Sequence, residues 1–546
     1  MSSSVDFSGR PFHFIGIGGI GMSALAYILA KRKLPVYGSD LKSSHITERL
    51  ESIGSHIFWH QEASNFELFK SNEMESPLSR GDISDRSLLL EGVENENNTK
   101  NLGENPGRNT PVPTSKKLFE LPQVICSTAI DPGNSEYRAA VELGCPIFHR
   151  SDLLAALIND YQSIAVAGTH GKTTTSSMVG FMLLQAGLDP TIVVGGEVNA
   201  WSGNARVGQG PFLVAEADES DGSLVKLSAY IGIATNIELD HPDHYQSLQE
   251  VVETFKVFKR NCQTLVGCID CPTVREELNP SISYSLNPEL GADYSVSGVE
   301  YLSDKTIARV SERGKILGQL QLKLLGEHNL SNALAAVAVG RLLGLEFSAI
   351  AQAFASFEGA RRRFESRGDY NGILFVDDYA HHPSEIRATL SAASLRAKNK
   401  TSSSNSDLSN SEGKLGQKER SQKDRVVAIF QPHRYSRTMT FLKEFAQSFN
   451  DADIVVVTDV YSAGEPDNGE INAQSLAEEI AIYHPQVHQC PSLAEVKDCL
   501  KEILKPGDLA LFLGAGNLNQ IIPDVMAFYQ PPEDRVVSIA EGSIGA

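Results

Sequence analysis

Residues 163–174 read Ser163-Ile164-Ala165-Val166-Ala167-Gly168-Thr169-His170-Gly171-Lys172-Thr173-Thr174. An apolar, strand-forming run enters a glycine-containing turn and leaves it as a helical stretch that continues through Gln185, the strand, turn and helix of an open parallel sheet. Gly171 lets the backbone turn tightly, successive amides face a phosphate at the helix N-terminus, Lys172 reaches the outer phosphates, and the Thr173 hydroxyl can ligate magnesium. The nucleotide this pattern points to is ATP. The general phosphate loop has a glycine five residues before Gly171, where this chain has Val166, so the loop is a variant.

Working outward, residues 212–215 and 230–235 are apolar runs that each end in a charged cluster. The first is followed by Glu216-Ala217-Asp218-Glu219-Ser220-Asp221, the second by Asn236-Ile237-Glu238-Leu239-Asp240-His241. Open α/β sheets bind ligands outside the carboxyl ends of their strands, so these carboxylates are placed to hold magnesium beside the loop. Either cluster alone is more often a solvated acidic loop or a helix N-cap. His241-Pro242-Asp243-His244 offers two imidazoles, too few ligands for zinc.

Upstream, a strand over residues 12–17 enters Gly16-Ile17-Gly18-Gly19-Ile20-Gly21, a helix follows over 22–31, and a second strand over 35–38 leads to Asp40. Gly16, Gly18 and Gly21 with Asp40 fit a dinucleotide fingerprint, which serves NAD or the pyrophosphate of any nucleotide diphosphate, a UDP-sugar included. Downstream, a third α/β block opens near Arg361, with strands over 373–376, 426–430, 454–458 and 509–513.

The chain has 546 residues, enough for about three domains. Its formal charge of −20 argues against nucleic-acid and anionic-membrane partners, both of which need a basic face. Seven cysteines without a ladder of even spacings fit a reducing cytoplasm better than a disulfide framework. Two stretches, about 72–117 and about 398–424, are polar and read as surface insertions because they cannot bury enough to repay ordering entropy.

Taken together and in order, GIGGIGMSALA, AGTHGKTTT, VAEADESDGS, NIELDHPDHY, GEHNLSNALAA, RRRFE, DDYAHHPSEI, QPHRYSRT and GAGNLN resemble the motifs of the Mur ligase family, in its alanine-adding branch. The resemblance covers nearly the whole chain outside the two insertions. It implies an α/β fold of three domains: a UDP-sugar-binding Rossmann-like domain at 1–155, a central phosphate-loop ATPase domain with a mostly parallel sheet at 156–359, and a Rossmann-like C-terminal domain at 360–546. It further implies ATP and Mg2+, with UDP-N-acetylmuramate and L-alanine as small-molecule substrates, for a cytoplasmic monomer or homodimer.

The same resemblance implies residue roles. Gly168, Thr169, His170, Gly171, Lys172, Thr173 and Thr174 would cradle ATP, with His328, Asn329 and Asn332 near its adenine and ribose. Thr173 and Glu216 would hold one magnesium and His241 would help hold a second. Gly16, Gly18, Gly19, Gly21 and Asp40 would take the UDP-sugar. Arg363 would reach the γ-phosphate, Asp378, Tyr379, His381 and His382 would line the amino-acid end, and Arg434 and Arg437 would add positive charge there.

A carboxylate forms an amide in water only after its oxygen becomes a leaving group, which ATP provides by phosphorylation. Lys172, Arg363 and magnesium would stabilise the phosphoryl charge, and His382, oriented by Asp378, is the expected base for the amine. Competing readings are a Mur-type ligase adding a peptide or a later amino acid, an NAD-dependent oxidoreductase, and a nucleotide-binding regulator without activity.

Overall fold

A computed structural model of the chain describes residues 4–70, 121–403, 424–467 and 469–530. The chain divides into two compact units, residues 1–149 and 150–546. The insertion expected at about 72–117 lies outside the described residues, as does most of the one at about 398–424. The helix Pro383–Ser403 runs on into the first residues of the second insertion.

The first unit is a parallel sheet of five strands, ordered His56–Phe58, Val36–Ser39, Phe12–Ile15, Gln123–Cys126, Ile147–His149. Phe12–Ile15 is buried throughout, which is why it reads as an unbroken apolar run. Chain order reverses on either side of this strand, so its carboxyl end is the switch point at which such sheets bind ligands. The glycine turn sits there and feeds the helix Ile20–Lys31. Beneath it, Glu136 is fully buried and gathers three donors: His13 Nε2 at 2.8 Å, Asn65 Nδ2 at 2.7 Å and Ser39 Oγ at 2.5 Å.

The second unit carries two sheets. At the centre of the larger, Gln162–Ala167 is flanked by Ile231–Ala234 and Phe212–Glu216. Parallel pairing extends to Thr191–Val198 on one side and through Thr264–Cys268 and Ile282–Ser285 to Tyr294–Tyr301 on the other. Antiparallel strands close both edges, Gly203–Arg206 at one and the meander Thr306–Glu312, Lys315–Leu322 at the other. The expected mostly parallel sheet is thus the middle of a ten-stranded mixed one. The smaller sheet runs Glu365–Tyr370, Ile373–Asp378, Leu509–Leu513, Val426–Phe430, Ile454–Thr458, Val487–Cys490, with only the first pair antiparallel.

Against the larger sheet lie two helices that are apolar or small nearly all round, Lys172–Gln185 and Glu327–Leu342, the pattern of helices buried on every side. They meet at Gly340, where a Cβ would lie 2.7 Å from Met182 Sδ and, on the following helix Phe347–Ser356, 2.8 Å from Ile350 Cδ1. Both neighbours belong to the same buried core. Gly340→Val should therefore overpack this seam and cost about 1–3 kcal/mol in urea denaturation. Unchanged stability would mean that the helices can separate freely.

Candidate active site

The phosphate loop joins Gln162–Ala167 to the helix Lys172–Gln185. Gly171 caps the helix at φ +80°, and Gly168 at φ +143° lies so close to Thr235 that a Cβ there would overlap its hydroxyl. Both positions demand glycine. Residues 235–238 hold the loop from behind. The His170 N–H donates to Asn236 Oδ1 (2.8 Å), the Thr169 N–H to the Asn236 carbonyl (3.1 Å), and Thr235 Oγ1 to the His170 carbonyl (2.6 Å).

Lys172 Nζ donates to the Gly168 carbonyl (2.7 Å), the Thr169 carbonyl (3.1 Å) and both oxygens of Glu219 (2.9 and 2.8 Å). Burial works against the ammonium, but Glu219 and Asp218 outweigh it and hold Lys172 above its ordinary pKa. Burial likewise pushes Glu219 up, to about 7, against the pull of Lys172. Four bonds converge on the ammonium, so the charged lysine is the state the geometry supports. Glu219 was within a predicted acidic cluster, yet only the fold reveals it as the lysine's partner.

Thr173 Oγ1 lies 3.1 Å from Glu216 Oε1, and the Gly195 N–H fixes the other Glu216 oxygen at 2.7 Å. Two hard oxygen donors side by side at the phosphate loop fit a magnesium ion. His241 lies elsewhere in the site: its Nε2 is 3.6 Å from Asp240 Oδ2 and 3.9 Å from Glu219 Oε1, and burial lowers its pKa. Across the loop, Arg363 Nη2 reaches Thr173 Oγ1 at 3.4 Å. The Tyr379 ring lies 5.0 Å from both the Arg362 and Arg363 guanidiniums. Asn332 touches the loop as well: it accepts from Thr175 Oγ1 at 3.1 Å, and a Cβ on Gly171 would meet its Oδ1 at 2.5 Å. Asn329 turns back to the Leu325 carbonyl (2.7 Å), and burial drives His328 down to about 4.

The segment 238–243 gathers residues from the smaller sheet. Ser384 Oγ donates to Glu238 (2.7 Å), Arg437 Nε to Asp240 (2.8 Å) and Arg434 Nη1 to Asp243 (2.6 Å). Arg437 and Asp240 are 2% and 5% exposed, so this is a buried ion pair. The charges of both arginines, expected to face an incoming ligand, are thus directed in part at the acidic segment.

Asp378 does not orient His382 as expected. Its oxygens accept the N–H groups of Phe364 (2.6 Å) and Ala380 (2.8 Å). His382 is held instead by the Ser384 N–H, which donates to its Nδ1 at 3.3 Å. A neutral His382 therefore carries its proton on Nε2, a buried atom with no hydrogen-bond partner among the described residues. His381 is the reverse: its Nδ1 lies 3.0 Å from the Tyr379 carbonyl and must carry the proton, which leaves the lone pair on Nε2. Burial lowers both rings to about 4.

His170, Glu238 and His382 bring three donor atoms within 4.8 Å of one another. Burial disfavours charge on His170, yet its contacts with Glu238 and Glu385 hold its pKa up at about 10. A His170 held cationic by the two carboxylates has no lone pair to offer a metal ion, so this trio is not a metal cage in that state.

In the first unit, the Gly18 N–H donates to Asp40 Oδ2 at 2.8 Å, and the Gly16 and Ile17 N–H groups donate to the Ser39 carbonyl, both at 2.9 Å. Asp40 thus braces the glycine turn. Gly19 caps the helix, and Gly21 lies in its first turn.

Three α/β sheets, a glycine turn at one switch point and a phosphate loop met by an arginine from another sheet define a nucleotide-handling enzyme of multidomain α/β build. Residues 11–162 match the Mur ligase family catalytic domain, residues 166–340 the Mur ligase middle domain, and residues 362–402 and 415–516 the Mur ligase glutamate ligase domain. The chain belongs to the Mur ligase family. It is 66% identical over 541 residues to UDP-N-acetylmuramate--L-alanine ligase of Trichodesmium erythraeum, covering 98% of this chain and 99% of that one. The enzyme so named in Nostoc punctiforme is 61% identical, over 97% of this chain and 99% of that one. Among solved structures, UDP-N-acetylmuramate-alanine ligase from Thermotoga maritima matches with a TM-score of 0.71 and 26% identity, over 95% of this chain and 99% of that one. No helix among the described residues is long and apolar enough to cross a membrane.

The Arg437–Asp240 pair yields a stability test. Burial opposes the Asp240 charge, but Arg437 outweighs it and holds the carboxyl below its ordinary 3.8. A depressed carboxylate stabilises the fold above its unfolded pKa and loses that contribution only as pH falls through the lower folded value. Arg437→Met should cost about 3–5 kcal/mol, because it strands a buried charge. The cost should be largest at about pH 8 and shrink towards about pH 5, since without Arg437 burial raises the Asp240 pKa and protonation then relieves the stranded charge. Adding Asp240→Asn should recover part of it in a double-mutant cycle. Strict additivity would show that the two groups do not interact.

Proposed function

We propose that the chain joins L-alanine to the carboxylate of UDP-N-acetylmuramate with hydrolysis of ATP to ADP and phosphate, a step of peptidoglycan synthesis. The observation that carries this reading is Arg363 of the smaller sheet meeting Thr173 of the phosphate loop at 3.4 Å. That approach brings a second cation to the end of the loop where a γ-phosphate belongs. Identity of 66% over nearly the full length to a ligase so named supports the choice of substrates. Family membership sets aside the NAD-dependent oxidoreductase reading. Substrates of this kind are cytoplasmic. The three domains, at 1–155, 156–359 and 360–546, would take the UDP-sugar, the ATP and the amino acid in turn.

The muramyl carboxylate oxygen attacks the γ-phosphorus in line, ADP departs, and an acyl phosphate forms. Lys172 and Arg363 bear on the equatorial oxygens, where the charge gathers. Magnesium, which Thr173 and Glu216 would hold, would supply Lewis acidity to the triphosphate, and His241, beside Asp240 and Glu219, would help to hold a second ion. The alanine amine, once deprotonated, attacks the acyl carbon and phosphate leaves. We assign the proton to His381 Nε2 rather than to His382, because the tautomers described above leave the lone pair there. Asp378 acts at one remove, by holding Phe364 and hence Arg363.

Phosphate release should require UDP-N-acetylmuramate and L-alanine together. Release with either alone, or an amino acid or peptide used in preference to alanine, would overturn the assignment. Lys172→Ala should lower kcat by about 100- to 1,000-fold while the protein stays folded. His381→Asn should lower kcat by about 100-fold or more and regain activity as pH rises, because the amine then deprotonates unaided. A loss of equal size at every pH would exclude His381 as the base.

A further inference from the structure

Glu385 stands in the first turn of the helix Pro383–Ser403 and uses its two oxygens on different parts of the site. Oε2 accepts the N–H groups of His381 (3.0 Å) and His382 (3.3 Å) and lies 3.3 Å from His381 Nδ1. Oε1 meets Nδ1 of His170 in the phosphate loop at 3.2 Å, 215 residues distant in sequence. A carboxylate only accepts, so His170 Nδ1 carries the proton in that contact.

A glutamate in the first helical turn that folds back onto the N–H groups ahead of the helix is a common cap, and glutamine caps as well. Capping accounts for Oε2 on the two amides. It does not account for Oε1 on the phosphate loop, nor for a carboxylate beside the His381 ring. That ring gives its Nδ1 proton to the Tyr379 carbonyl at 3.0 Å. Glu385 beside it favours the proton on Nδ1 and eases the arrival of a second proton on Nε2. Burial lowers the His381 pKa, and Glu385 is the foremost group that opposes burial there. Asp378, by contrast, gives its oxygens to backbone N–H groups.

We propose that Glu385 is the positioning residue of His381: Oε2 holds the ring with its lone pair on Nε2, and Oε1 ties the same carboxylate to His170, which fixes the base relative to the phosphate loop. This rests on the reading that His381 takes the amine proton. When Nε2 accepts that proton, the Nδ1 proton stays in place and the carboxylate balances the imidazolium that forms.

Glu385→Gln separates positioning from capping, because it keeps the cap and removes the charge. Partners that fix the far nitrogen of a working imidazole are worth about 10- to 100-fold, and kcat should fall by that factor. The melting temperature and KM for L-alanine should stay unchanged. In a double-mutant cycle the loss should vanish when Glu385→Gln is added to His381→Asn, because the carboxylate acts through that ring. An unchanged kcat in Glu385→Gln, or an equal further loss in the His381→Asn background, would overturn the positioning role and leave His381 as the base. Full activity of His381→Asn would overturn the base and the positioning role together. Imidazole nitrogen NMR of the unsubstituted chain, with His381→Asn identifying the signals, needs no folded Glu385 variant. His381 should carry its proton on Nδ1, and a ring protonated on Nε2 instead would overturn both.

Discussion

The bond from the His170 amide to the Asn236 side chain, 2.8 Å long, couples two functions of the central sheet. Its neighbour, from Thr235 Oγ1 to the His170 carbonyl at 2.6 Å, fixes the same peptide from the other side. A phosphate loop works only if its amides converge, and here convergence is imposed by the end of the adjacent strand. The chain that supplies Thr235 and Asn236 goes on to supply Glu238, Asp240 and Asp243, which hold Ser384, Arg437 and Arg434. Loop shape and the approach of the smaller sheet are therefore set by one short segment. A buried pair such as Arg437–Asp240 adds little net stability, but it penalises every arrangement in which either partner is left alone. Its effect is to specify position.

Backbone strain gathers in the same place. Arg362, Phe364, His241 and Arg434 are non-glycine residues at φ of +57°, +52°, +55° and +71°, each at a cost of about 1–3 kcal/mol at most. Each is held by a bond to its own N–H: Glu365 on Arg362 (2.9 Å), Asp378 on Phe364 (2.6 Å), Asp240 on His241 (2.7 Å) and the Tyr461 carbonyl on Arg434 (2.8 Å). The two strained residues of the first group bracket Arg363. This gives Asp378 a physical role different from the one its motif suggested. It keeps the turn that presents Arg363, and the ring of Tyr379, 5.0 Å from both guanidiniums, adds a second constraint.

The strands flanking the nucleotide loops were legible because buried parallel strands are unbroken apolar runs, as Val426–Phe430 and Leu509–Leu513 are. The meander over Tyr294–Leu322 was not, since its strands alternate or expose one face and carry no motif. In the site, Lys172, Thr173 and Glu216 stand where spacing and strand ends placed them. Partners distant in sequence were out of reach. Nothing local tells that Glu385 meets His170 or that Asp240 meets Arg437, since those contacts depend on how the two sheets face each other. The choice between His381 and His382 was equally hidden, because it turns on which ring nitrogen a backbone group engages.

Protonation completes this division of labour among the histidines. Burial alone would make every one of them neutral, and it prevails at His381 and His382, both lowered to about 4, and at His433, lowered to about 3. His170 escapes because Glu238 and Glu385 both face it, and it remains cationic to about 10. Its charge then acts on the ring beside it: His382 lies 4.6 Å away between centroids, and His170 reinforces the effect of burial there. One fixed imidazolium against the phosphate loop thus helps to keep the neighbouring imidazole neutral. The site holds positive charge against the phosphate loop and neutral rings at His381 and His382, with two carboxylates sufficient to set the boundary between them.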